Sequence, residues 1–199
     1  MRALQADRPA LDPVTGRSAT ARQVDSPNFD PRPEGMAPDL IVVHGISLPP
    51  EEFGGPWIDA LFLNQLDPAA HPYFADIAGR KVSSHYLIRR SGELVQYVSC
   101  NHRAWHAGVS AYEGRSNCND FSIGIELEGA DASAYEPAQY RALADLILTL
   151  CDAYPSLSTE RITGHSDIAP GRKTDPGLAF DWPRLRALLK VREAYGYPS

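Results

Sequence analysis

The sequence predicts an α/β protein built on a single mixed β-sheet flanked by helices, and three segments carry that prediction. Leu40-Ile41-Val42-Val43 is an almost uninterrupted apolar, largely β-branched run, the composition of a strand covered on both faces. Ser122-Ile123-Gly124-Ile125-Glu126-Leu127-Glu128 alternates strictly, so Ile123, Ile125 and Leu127 face one side of a strand and two carboxylates the other. From Pro137 to Tyr154 the apolar positions Tyr140, Leu143, Ala144, Ile147, Leu150, Cys151 and Tyr154 recur at helical spacing, with a proline at the start and Pro155 past the end. No internal repeat interrupts this mixture, so one sheet with helices packed on it is the simplest architecture.

The remaining elements follow in chain order. Six prolines precede Asp39 among charged and small residues, a composition that resists helix and central strand, so residues 1–20 are expected to be a flexible extension ahead of one domain over 21–199. The first strand ends at His44-Gly45. Pro56 then opens a helix through about Leu66, with Trp57, Leu61 and Leu66 as its apolar face. His85–Arg89 and Glu93–Val98 flank Ser91-Gly92 and read as a β-hairpin. After the long helix, Arg161-Ile162-Thr163 forms a short strand that delivers Gly164-His165 into a long loop, and Asp181 caps a last helix from about Trp182 to Arg192.

Composition limits the function classes. The 199 residues suit one domain with trimmings, and 43% apolar with 22% charged residues is the balance of a globular chain. With 19 lysines and arginines against 25 aspartates and glutamates, the net charge of −6 argues against nucleic acid and against an anionic membrane as partners. No obligate protein partner is expected either. The three cysteines lack C-x-x-C spacing, so neither a disulfide framework nor a cysteine zinc site is suggested. The N-terminus carries no continuous apolar segment for export, which places the expected site of action in the cytoplasm.

Of six histidines, His44 and His165 each follow directly on a strand, where a sheet presents side chains to a cleft. Ten residues beyond His165 lies Asp175, in a loop stiffened by Pro170, Gly171, Pro176 and Gly177 that can fold a carboxylate back on the histidine. Two histidines and one carboxylate make a three-ligand shell with an open fourth position, the pattern of a catalytic zinc site. Asp167 competes with Asp175 as the carboxylate, or serves the loop backbone as an Asx turn. Lys173 lies two residues before Asp175 and can place a cation in the same cavity, where it could stabilise an oxyanion. Glu126, on the polar side of its strand, could take a proton from water and return it to a leaving amine; Glu128 competes for that role, and either could instead pair with an arginine across the sheet.

These residues resemble a known family. His44-Gly45-Ile46-Ser47-Leu48-Pro49-Pro50 with Phe53-Gly54-Gly55, Ala104-Trp105-His106-Ala107-Gly108, the Cys118–Gly129 segment and the run from His165 to Gly177 occur in order. Together they are similar to the type-2 N-acetylmuramoyl-L-alanine amidases, whose fold is shared with phage T7 lysozyme and peptidoglycan recognition proteins. The likeness extends from about Ala21 to Leu189. It implies a zinc enzyme (Zn2+, one per chain) that cuts the amide between the lactyl group of 1,6-anhydro-muramic acid and L-alanine during cytoplasmic peptidoglycan recycling. In some bacteria, loss of that activity signals β-lactamase induction.

Carried over by position, the resemblance makes His44, His165 and Asp175 the zinc ligands and Glu126 and Lys173 the catalytic pair, and returns Asp167 to loop building. Trp105 would offer a flat wall to sugar or peptide, and Arg103, Arg115 and Lys81 would pair with peptide carboxylates. Gly45 departs from the asparagine that follows the first ligand in relatives. Two other readings use the same fold: a binding module that holds muropeptides without cutting them, and a lytic amidase acting on intact cell wall.

Overall fold

The computed structural model describes residues 10–194. Short strands come first, at Leu11–Asp12 (β1), Arg17–Ser18 (β2), Arg22–Gln23 (β3) and Phe29–Pro31 (β4). They precede the long strand Leu40–Ile46 (β5) and the helix Trp57–Phe62 (α1). Tyr86–Ile88 (β6), Leu94–Gln96 (β7), His102–Ala104 (β8), Ala111–Tyr112 (β9), Arg115–Ser116 (β10) and the second long strand Ser122–Glu128 (β11) follow. The chain then forms Pro137–Ala153 (α2), Ile162–Gly164 (β12), the single turn His165–Ile168 (α3) and Trp182–Ala194 (α4).

Six strands make the mixed sheet, in the order β12-β5-β11-β6-β7-β3, with β5 and β11 adjacent and parallel at its centre. The hairpin β6–β7 supplies the one antiparallel pair of this sheet. Three two-stranded pairs, β1–β2, β4–β8 and β9–β10, lie beside it. Because successive side chains point to opposite faces, the parallel register of β5 and β11 sorts the core. Ile41, Val43, Ile123, Ile125 and Leu127 pack with Leu143, Ile147 and Leu150 of α2 and Leu185 and Leu189 of α4. Each such buried side chain contributes roughly 1.5–3 kcal/mol relative to exposure. The opposite face carries two smaller clusters, one with Leu40, Val42, Ala107 and Ile168 and one with Leu87, Phe62 and Phe74. His44 and Glu126 share that face at paired register positions.

Several elements differ from the sequence expectation. Residues 10–20 are not a loose extension: β1 and β2 pair, and buried Gln96 ties them down by accepting from the Ser18 N–H and donating to the Gly16 carbonyl. Ser99 adds a bond to the Thr15 carbonyl. The prolines there exclude long strands but leave a two-residue pair possible. The part of the expected extension before residue 10 lies outside the described residues. The first helix ends at Phe62, and the segment after His165 turns through α3 before entering its loop. β11 is buried at all seven positions, because β5 and β6 flank it and the polar side forms a cavity floor. The last helix begins as expected, with Asp181 Oδ1 accepting from the Arg184 N–H.

Candidate active site

Three separate chain segments converge at the ends of β5 and β12. His44 is the fifth residue of β5, His165 follows β12, and Asp175 is brought back by the loop after α3, where its carbonyl accepts from the Ser166 N–H. His44 Nδ1 lies 3.0 Å from His165 Nδ1 and 3.2 Å from Asp175 Oδ2, and His165 Nδ1 lies 3.0 Å from the same oxygen. A tetrahedral zinc shell with the usual bond lengths sets its ligands roughly 3.3 Å apart, so the triangle has the right size.

The donor set also fits a cation. His165 Nε2 faces the Ala107 carbonyl at 3.1 Å, and a carbonyl only accepts, so Nε2 carries a hydrogen. With the neutral ring's one hydrogen there, a bare Nδ1 lone pair faces the Asp175 carboxylate, an arrangement that a metal ion between them reconciles. Burial drives the His44 pKa down to about 4, against the pull of the Asp175 carboxylate, so this ring is neutral at pH 7.

The two strand carboxylates, which the sequence could not separate, have opposite surroundings. Glu128 accepts from the Gly54 N–H at 2.6 Å and pairs with Arg89 at 3.1 Å, which is the arginine pairing across the sheet. Glu126 is buried beside the metal triangle, and its Oε2 finds no hydrogen-bond partner among the described residues. Burial and the nearby Asp175 charge raise its pKa well above the ordinary value, and Lys173 opposes that rise. Asp167 is occupied elsewhere: its Oδ2 accepts from the Thr163 hydroxyl and the Gly164 N–H, fixing the start of α3.

A cavity of about 520 Å³ opens over the triangle. His44, His165, Asp175, Glu126, Lys173 and Trp105 all line it, as the sequence grouped them. Trp105 keeps its buried indole Nε1 without a partner among the described residues. Three expected substrate contacts are not in the lining. Arg103 is held between Asp30 and Asp120, where it secures the β4–β8 pair, and Arg115 pairs with Asp39 while stacking 3.7 Å over the Phe121 ring. Lys81 also falls outside; its neighbour Arg80 lines the cavity instead. In an irregular connection no periodicity tells which of two adjacent cations faces in.

Gly45 has a local cause. A Cβ there would collide with the Tyr135 hydroxyl, which donates to the Pro176 carbonyl at 2.8 Å and so braces the residue after Asp175. His106 escaped the sequence reading although it touches His44, its Nδ1 lying 2.9 Å from His44 Nε2. The signal was Gly124: a glycine inside a strand marks close approach of another group, and a Cβ at that position would enter the His106 ring.

A sheet-edge cleft holding two histidines, a carboxylate and a separate buried glutamate is the layout of a hydrolase. The chain belongs to the N-acetylmuramoyl-L-alanine amidase family, whose sequence model matches residues 34–178. It is 62% identical over 179 residues to the 1,6-anhydro-N-acetylmuramyl-L-alanine amidase AmpD of Salmonella typhimurium strain SL1344, covering 90% of this chain and 95% of that protein. The crystal structure of a selenomethionine AmpD derivative superposes with a TM-score of 0.87 at 60% identity, over 90% of this chain and 99% of that one. A complex of the amidase AmiD from E. coli with the substrate anhydro-N-acetylmuramic acid-L-Ala-D-gamma-Glu-L-Lys superposes at a TM-score of 0.56 and 30% identity, over 79% of this chain and 60% of that one.

Proposed function

We propose that the protein is a zinc amidase that hydrolyses the lactyl–L-Ala bond of 1,6-anhydro-muropeptides in the cytoplasm, as a step of peptidoglycan recycling. The observation that carries the zinc reading is the triangle of His44 Nδ1, His165 Nδ1 and Asp175 Oδ2, with all sides between 3.0 and 3.2 Å. The substrate class rests on the high identity to AmpD proteins and on the anhydro-muropeptide held by the related AmiD.

His44, His165 and Asp175 would hold the ion. Bound there, zinc supplies Lewis acidity toward a carbonyl and an oxygen nucleophile at neutral pH. The protein's own groups do the rest. Glu126, raised in pKa and without a competing partner among the described residues, accepts the proton of the attacking water and returns it to the amide nitrogen as that bond breaks. Lys173 faces the same cavity and balances the negative charge that develops on the carbonyl oxygen. Trp105 gives the cavity a flat wall for sugar or peptide, and Arg80 gives it a cation for a stem-peptide carboxylate.

The test is incubation of the protein with an anhydro-muropeptide and, separately, with intact cell wall, followed by mass spectrometry. The expected products are anhydro-muramic acid and a peptide with a free L-Ala amine, from the small substrate. Tight binding without cleavage would establish the binding-module reading instead, and release of peptides from intact wall alone would establish the lytic one.

A further inference from the structure

His44 Nε2 and His106 Nδ1 lie 2.9 Å apart inside the protein. Two neutral imidazoles can share that hydrogen bond in either direction, and the direction decides whether His44 turns a lone pair or an N–H toward Asp175. The contacts beyond His106 remove the ambiguity. Ser122 Oγ lies 2.5 Å from the Cys118 carbonyl and 3.2 Å from His106 Nε2. The carbonyl can only accept, so the hydroxyl's single hydrogen points to Cys118. Ser122 Oγ must then accept, which puts the His106 hydrogen on Nε2 and leaves His106 Nδ1 bare. That bare nitrogen accepts from His44 Nε2–H, and His44 Nδ1 is left as a lone pair aimed at the centre of the triangle.

We propose that His106 and Ser122 are positioning residues that lock His44 in its metal-binding tautomer through the relay His44 Nε2–H to His106, His106 Nε2–H to Ser122, and Ser122 O–H to the Cys118 carbonyl. The inference rests on the zinc reading above. The relay is built into the fold at both ends. Gly124 leaves room for the imidazole where any Cβ would intrude, and Asn119 Oδ1 accepts from the backbone N–H groups of His106 at 3.1 Å and Ala107 at 2.7 Å. Ser122 opens the same strand that carries Glu126, so one strand positions both a metal ligand's partner and the proton acceptor. His165 is held likewise, with a backbone carbonyl in place of a relay. Hydrogen-bond partners of metal-bound histidines typically account for ten- to hundredfold in affinity.

Two measurements test the relay without reference to turnover. In nitrogen-15 NMR of the metal-free chain, His44 is expected to carry its hydrogen on Nε2. In competition with a chromophoric chelator, Ser122→Ala and His106→Leu are expected to bind zinc ten- to hundredfold more weakly than the parent, because the first frees the relay to reverse and the second removes the acceptor of the His44 Nε2–H. His106→Asn places an oxygen acceptor where Nδ1 stood and is expected to return affinity to within a few-fold of the parent. A His44 hydrogen on Nδ1 in the metal-free protein, or parental zinc affinity in folded Ser122→Ala, overturns the inference. Should His106→Leu fail to fold, Ser122→Ala, which deletes one oxygen, and the tautomer decide. A parent chain that binds no zinc would overturn the zinc reading itself, and the NMR result would still judge the relay.

Discussion

Two glutamates two residues apart on one strand show how far residue type alone carries. Glu126 and Glu128 sit on the same side of one strand, but Glu128 is spent on Arg89 and the Gly54 N–H while Glu126 is left without a partner among the described residues. Alternation identified the pair; only the neighbours brought by other segments could separate its members. The same holds for His106, legible in hindsight through Gly124, and for Arg103 and Arg115, whose aspartate partners are remote in sequence. Lys173→Ala is expected to retain zinc and lose about two to three orders of magnitude in turnover, the scale of one lost oxyanion partner; steady-state kinetics with metal analysis checks this, and near-parental turnover removes Lys173 from the mechanism. Glu126 must be ionised to accept a proton and its pKa is raised, so kcat/KM should fall with decreasing pH at a value above the ordinary glutamate pKa of about 4.3. A pH profile with its acid limb at or below that value contradicts the assignment.

At the scale of elements, the segments with a strong period were legible and the short ones were not. The helix α2 and the strand β11 show their period over seven residues or more, β5 shows an almost unbroken apolar run, and the structure places all three close to where the sequence did. The single turn α3 and the β1–β2 pair are too short for any period; a local bond from the Gly164 N–H to Asp167 holds the first, and a bond from Ser18 to the distant Gln96 holds the second. Gln139 shows what such bonds do for the long elements. Buried in the first turn of α2, its Nε2 donates to the carbonyls of Ile88 and Glu128 at 3.1 and 3.0 Å, joining the helix to the ends of β6 and β11. Gln139→Leu should cost about 2–4 kcal/mol, since two buried carbonyls lose their donor. Urea unfolding measures this, and a loss under about 0.5 kcal/mol, the scale of a neutral surface change, would show that water or backbone shifts replace the amide.

Across the whole molecule, the sheet divides labour between its faces. One is closed by α2 and α4 over a continuous apolar core, and the other is split into two clusters with the His44 and Glu126 line between them. Rigid strands thus fix two of the five residues proposed for metal and catalysis, and the loop after α3 supplies Asp175 and Lys173. The three ligands come from parts of the chain 121 and 10 residues apart, so binding an ion should stabilise the assembled fold. At a thousandfold excess over its Kd, zinc is expected to add about 4 kcal/mol, seen as a lower melting temperature after chelation that zinc restores. Neither composition nor period could have shown the triangle, because it closes through contacts between distant segments; the sequence supplied its members by their places at strand ends and through the family resemblance.

The most direct test of that triangle is the zinc content and turnover of the parent chain measured side by side with Asp175→Ala. The expected result is one zinc per parent chain with cleavage of the lactyl–L-Ala amide, and loss of both together in the folded variant. A folded Asp175→Ala that keeps a full zinc complement and parental turnover would contradict the account.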